Sequence, residues 1–157
     1  MKLYHGSDTE IDVIDITRCT PLKDFGQGFY LTADKEHAQR IAERRSDFSK
    51  KPAIVNIFDF DENRLTDGSL KVKIFNEYSV EWAEFVNKNR RGESVEKYDI
   101  VYGPIADDKV GVQIRLFTEG YITIEAFLER IKFYRGITFQ YFFGTEAAIS
   151  HLIKSHS

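Results

Sequence analysis

The chain has 157 residues, 42% hydrophobic and 30% charged, values that fit one globular domain spanning 1–157 with a substantial core. A formal net charge of -3 argues against duplex-DNA binding driven by counterion release, and the single cysteine, Cys19, excludes an intramolecular disulfide and a thiolate zinc site. With no apolar run of membrane length, no leader-like start and four histidines without paired metal-ligand spacing, the expectation is a cytoplasmic protein with no membrane contact and no metal.

Lys2 to His5 reads as a strand, and Ile11 to Ile16 alternates apolar residues with acids like a second, half-buried strand. Thr17 to Gly28, with Pro21 and two glycines, reads as loop, and Phe29 to Thr32 as a short strand. Thr32 or Asp34 can cap a helix running to about Arg45, with Ala38, Ile41 and Ala42 on one face. Pro52 to Phe60 is β-branched and aromatic, the clearest strand signal in the chain. Arg64-Leu65 and Leu70 to Phe75 read as strand or turn around an Asp67-Gly68 turn signal. Ser79 opens a helix through Trp82, Phe85 and Val86, which Gly92 closes. Tyr98 to Pro104 is a strand, and Asp107-Asp108 can cap a helix holding Val112, Ile114 and Leu116. Thr123 to Phe133 is a further helix, Ile137 to Phe143 a last strand, and Thr145 to Lys154 a terminal helix. Short strands interspersed with helices predict an α+β fold built on twisted, mostly antiparallel sheet.

Two segments carry the chemistry. The first strand delivers His5-Gly6, and a glycine-spaced loop, Gly26-Gln27-Gly28, delivers Tyr30 at the start of another. An imidazole can bond a ribose hydroxyl, a glycine lets a ligand approach the backbone, and a phenol ring offers a face for stacking. Each residue also has an ordinary structural reading: a satisfied histidine at a strand end, a turn glycine, a core aromatic. The glycine spacing is not a Rossmann fingerprint, because the strand-loop-helix order and a downstream ribose acid are missing. Asp99, Asp107 and Asp108 read as loop and capping residues, and Lys88, Arg90 and Arg91 as a solvated helix end that could rim a pyrophosphate pocket.

Taken together, Tyr4-His5-Gly6-Ser7 and Phe25-Gly26-Gln27-Gly28-Phe29-Tyr30-Leu31-Thr32 resemble the nicotinamide-binding half of the ADP-ribosyltransferase fold, of the diphtheria-toxin and poly(ADP-ribose) polymerase type. With Trp82 to Arg91, Tyr98 to Asp108 and Gln140 to Glu146, nearly the whole chain resembles the bacterial DUF3990 family, usually grouped with that superfamily. The resemblance implies a split, mostly antiparallel sheet with flanking helices, and NAD as the bound cofactor or substrate. His5 would meet the adenosine ribose, the Gly6 backbone the nicotinamide amide, and the Tyr30 ring the nicotinamide face. The activity implied is transfer of ADP-ribose to a protein or nucleic-acid acceptor. Gln140 stands where the superfamily's catalytic glutamate is expected, and it can bond a ribose hydroxyl without supplying charge. Glu146 is the nearest alternative acid, though it also suits the first turn of the last helix. Ala38 matches a position that often carries a hydroxyl in polymerase-type members. These two departures motivate the alternative, a catalytically degenerate module that binds NAD, ADP-ribose or a protein partner. Oligomeric state is not legible in the sequence.

Overall fold

The computed structural model describes residues 1–132, 134 and 137–156. In chain order the strands are β1 (Lys2–Ser7), β2 (Phe29–Leu31), β3 (Ile54–Asp59), β4 (Val72–Ile74), β5 (Ile100–Pro104), β6 (Phe139–Phe143) and β7 (Ile153–Ser155). The helices are α1 (Lys35–Ser49), α2 (Val80–Arg90), α3 (Asp108–Thr118), α4 (Ile124–Ile131) and the single turn α5 (Glu146–Ile149). The expected α+β class and mostly antiparallel strands are present. Among the described residues the strands form two sheets, ordered β1-β3-β7 and β2-β6-β5-β4, and only the β4–β5 pair is parallel. That pair is parallel because α2 lies between its strands in sequence and returns the chain to the same end of the sheet.

The two sheets face each other across a core of Leu3 and Phe58 from the smaller sheet and Phe29, Leu31, Ile100, Tyr141 and Phe143 from the larger. Alternate residues of the larger sheet, Val101 and Phe142, point the other way into a second core with Trp82, Val86, Val110, Ile114, Phe127 and Ile131 of α2 to α4. Helix α1 covers the outer face of the smaller sheet. The helix starts follow side-chain capping: Asp34 accepts from the amides of Glu36 and His37, Ser79 from Trp82, Asp107 from Val110, and Thr123 from Ala126. The expected end of the fourth helix at Phe133 lies outside the described residues.

Two expected elements are different. The alternating run Ile11 to Ile16 is not a strand; it runs as bends into a 3-10 turn at Ile16–Arg18. The free edge of β3 is filled by β7, with Ile57, Phe58 and Asp59 opposite Ser155, Lys154 and Ile153. Ile11 and Ile14 still pack on the core between the sheets, which explains their apolar character, while Val13 is exposed. The expected helix Thr145 to Lys154 lasts one turn, and its second half is β7. Pairing to an open sheet edge outweighs the weak helical preference of a short segment. Arg64-Leu65 falls in a 3-10 turn, Glu62–Leu65, capped by Asp61.

Candidate functional site

The two sheets touch edge to edge at one point. Tyr4 and Thr32 exchange both main-chain hydrogen bonds, at 2.8 and 2.9 Å. Had that antiparallel ladder continued, Gly6 would lie opposite Tyr30. Instead β1 and β2 diverge there, and the His5 ring takes the carbonyl that Gly6 would have met: its Nδ1 lies 2.7 Å from the Tyr30 main-chain oxygen. Main-chain groups alternate sides along a strand, so the Gly6 amide and carbonyl point the same way as those of Tyr4. They turn away from β3 and into the gap. That gap opens into a cleft of about 860 Å³ whose lining includes His5, Gly6, Tyr30 and Gln140. The four residues expected at the site therefore share one cavity, of a size typical for cofactor-sized ligands.

Each is there for a local reason. A Cβ on Gly6 would stand 2.1 Å from the Ala38 carbonyl oxygen and 2.8 Å from the Ala42 nitrogen, so only glycine lets α1 lie this close to β1. Ala38 is fully buried in that contact, outside the cleft lining. Gly28 is equally constrained, since its Cβ would meet Phe142 Cε2 at 2.3 Å and the Phe143 carbonyl at 2.6 Å. The Tyr30 hydroxyl donates to the Gly26 carbonyl at 2.7 Å and accepts from the Phe25 amide at 3.0 Å, closing the glycine loop onto its own strand. Its ring leans on Phe142, 5.2 Å between centroids, and the Lys23 ammonium stands 5.4 Å from its centre. Gln140 sits on β6 opposite Gly103, half-buried, and among the described residues its side-chain amide bonds no protein group. The loop is anchored at its other end by Asp24, which accepts from Arg90 Nε at 2.8 Å, pairs with Arg90 Nη2 at 2.7 Å, and accepts from the Ala106 amide at 3.3 Å.

The electrostatics define the protonation states. Burial, stacked 4.3 Å from the Phe29 ring, lowers the His5 pKa to about 4, and the positive charges of Arg45, Lys23 and Lys154 act in the same direction. His5 is thus neutral near neutral pH. Because a carbonyl can only accept, the proton sits on Nδ1 and the Nε2 lone pair is the free acceptor. Burial pushes the Tyr30 phenol well above its ordinary value, so it stays protonated. Burial holds the Cys19 thiol up as well, which makes it an unreactive part of the wall.

The other candidates have structural tasks. Asp99 accepts from the Lys71 amide at 2.7 Å and from the Thr145 hydroxyl at 2.6 Å, stapling β4 and α5 to β5. Asp107 caps α3, and Glu146 lies in the first turn of α5, outside the cleft lining. Sequence reasoning missed His37, Ile41 and Arg45, which line the cleft from α1; their four-residue spacing on one helix face was the available signal. It also missed the wall formed by residues 9–15, which carries no local signature of that role. No helix among the described residues is long and apolar enough to cross a membrane, and none of their His, Cys, Asp or Glu side chains cluster as a metal site.

An α+β protein with a cleft between two diverging sheets, lined by a neutral histidine, a glycine at an unpaired strand edge and a tyrosine, is the class defined by this geometry. The chain belongs to the family described as Protein of unknown function (DUF3990), whose pattern it matches over residues 1–153. No curated protein and no solved structure matches it.

Proposed function

We propose that the cleft binds NAD and that the chain is an ADP-ribosyltransferase-like protein, with transfer of ADP-ribose to a macromolecular acceptor as its activity. The observation that carries this reading is the divergence of β1 and β2, which leaves the Gly6 amide and carbonyl, the His5 Nε2 acceptor and the Tyr30 ring facing one cavity. A carboxamide carries one acceptor and two donors, and the paired amide and carbonyl of an open strand edge complement it. A neutral imidazole acceptor suits a ribose hydroxyl. The aromatic ring suits a cationic pyridinium, and the Lys23 ammonium already stands over it at 5.4 Å.

In the reaction, the bond between the ribose anomeric carbon and the nicotinamide nitrogen breaks as positive charge develops on the ribose. The acceptor's nucleophilic atom then bonds that carbon and loses its proton. Gln140 can hold a ribose hydroxyl in place but brings no negative charge to the developing cation. Loss of one such electrostatic group costs on the order of 10²–10³ in rate. That deficit favours a second reading, a binding module for NAD or ADP-ribose without efficient turnover.

Calorimetric titration with NAD tests the shared part of both readings, and the absence of saturable heat at millimolar NAD would refute them. Nicotinamide release then separates them. Turnover by the unaltered protein supports the transferase, whereas turnover appearing only in Gln140→Glu supports the binding module.

A further inference from the structure

We infer that the cleft holds a diphosphate between Lys23 and Arg45, so that its ligand is a nucleoside diphosphate derivative gripped on both sides of the phosphate pair. The inference deepens the NAD reading and rests on it for the identity of the ligand's two ends, but the diphosphate subsite stands on separate observations.

The cations of the cleft are unevenly matched with acids. Arg90 is paired with Asp24, and Arg18 lies beside Asp15, whose carboxylate is bound to the amide and hydroxyl of Thr17. Lys23 and Arg45 have no carboxylate within ion-pair distance among the described residues. They approach the cavity from different elements, Lys23 from the loop before β2 and Arg45 from the third turn of α1. The named charges acting on His5 are all positive, Arg45, Lys23 and Lys154, and the Lys23 ammonium pKa is lowered first by burial and then by Arg45. The carboxylate that acts on Lys23 in the opposite sense is Asp24, which is itself paired with Arg90 at 2.7 Å.

A protein with a net charge of -3 thus keeps two cations acting on His5 that form no ion pair among the described residues. Two like charges held across a cavity repel, and an anion placed between them relieves that repulsion and gains charge-assisted hydrogen bonds. The two cations come from separate elements, and two linked phosphates offer each of them its own charged oxygens. Lys23 also lies over Tyr30, so moving onto a phosphate clears the ring face for the ligand's base or pyridinium. The subsite and the stacking face become available together.

Inorganic pyrophosphate, ADP, adenosine and NAD are titrated into the unaltered protein and into Lys23→Gln, Arg45→Gln and the conservative Arg45→Lys. Lys109→Gln, an exposed site on α3 outside the cleft lining, controls for net charge. Pyrophosphate and ADP should bind, with affinity falling about tenfold or more in each Gln variant. Arg45→Lys should retain most of it, and Lys109→Gln and adenosine binding should change less than twofold. Raised salt should weaken pyrophosphate more than adenosine. Pyrophosphate or ADP binding that ignores both Gln substitutions, or no binding of either probe, overturns the inference. NAD binding that is insensitive to both substitutions overturns it while leaving the NAD reading intact. Substitution-sensitive ADP binding without NAD binding does the reverse. Arg45→Lys guards against misfolding, because loss of ADP binding there with an unchanged melting temperature also counts against the subsite.

Discussion

His5 shows how one side chain can wedge two strands apart and keep an acceptor free for the proposed ligand. Its Nδ1–H bond to the Tyr30 carbonyl separates the two strands and fixes the tautomer that leaves Nε2 free. Because the ring is neutral well below neutral pH, NAD affinity should stay level from about pH 8 to about pH 5, then fall as the acceptor is protonated. A titration series showing a midpoint near pH 6.5 instead would contradict the buried, neutral ring. The same burial makes stability depend on pH. The folded pKa is about 4 against 6.5 unfolded, so the unfolded chain binds more protons between those values. Stability is therefore full above about pH 6.5 and declines as pH falls towards 4, by up to about 3 kcal/mol. His37 is also shifted down and adds a smaller change of the same sign. Urea unfolding across this window should show a shallower decline in His5→Gln than in the unaltered protein. Tyr30 separates along similar lines. Tyr30→Phe should lose about 1–2 kcal/mol of stability through the hydroxyl's two loop bonds while keeping NAD stacking. Tyr30→Ala should lose NAD affinity as well, and equal NAD affinity in the two variants would remove the ring from the site.

At the scale of elements, the cleft depends on how closely three pieces approach one another. Helix α1 reaches β1 only over Gly6, so Gly6→Ala forces helix backbone and strand apart. A loss of about 2 kcal/mol or more is expected in chemical denaturation, because the clashing atoms are main chain and cannot rotate away. The wall at residues 9–15 is held by groups distant in sequence. Asn56, fully buried on β3, donates to the Thr9 carbonyl at 3.0 Å and accepts from the Ile11 amide at 2.8 Å. Lys154 on β7 donates to the Ile11 carbonyl at 2.8 Å and to Asn56 Oδ1 at 2.7 Å. Asn56→Ala should speed amide exchange at Ile11 without changing exchange at Tyr4, whose amide is held by the Thr32 carbonyl. Equal acceleration at both sites would mean global loosening rather than release of the wall.

At the scale of the molecule, helices and most strands were legible because caps and periodicity are local signals. Asp34, Ser79, Asp107 and Thr123 begin their helices where the sequence places them, and the β-branched run around Ile54–Asp59 forms the central strand of its sheet. His5, Gly6, Tyr30 and Gln140 were legible as chemistry by residue type and by likeness to a known pattern, and all four line the same cleft. The two misread segments share one cause. Residues 11–16 alternate like a strand but pair with no sheet, while 153–155 read as helix but pair along β3; in both, the outcome rests on distant partners that a local pattern does not contain. The sequence by itself determined which residues are apolar, where helices start and which side chains carry donors, acceptors and rings, since those are properties of a residue and its near neighbours. Tertiary structure alone decided where β1 and β2 part and which strand fills the open edge. It also brought Lys23 and Arg45 to one cavity with no ion-pair partner among the described residues, because such outcomes depend on groups that meet only when the chain folds.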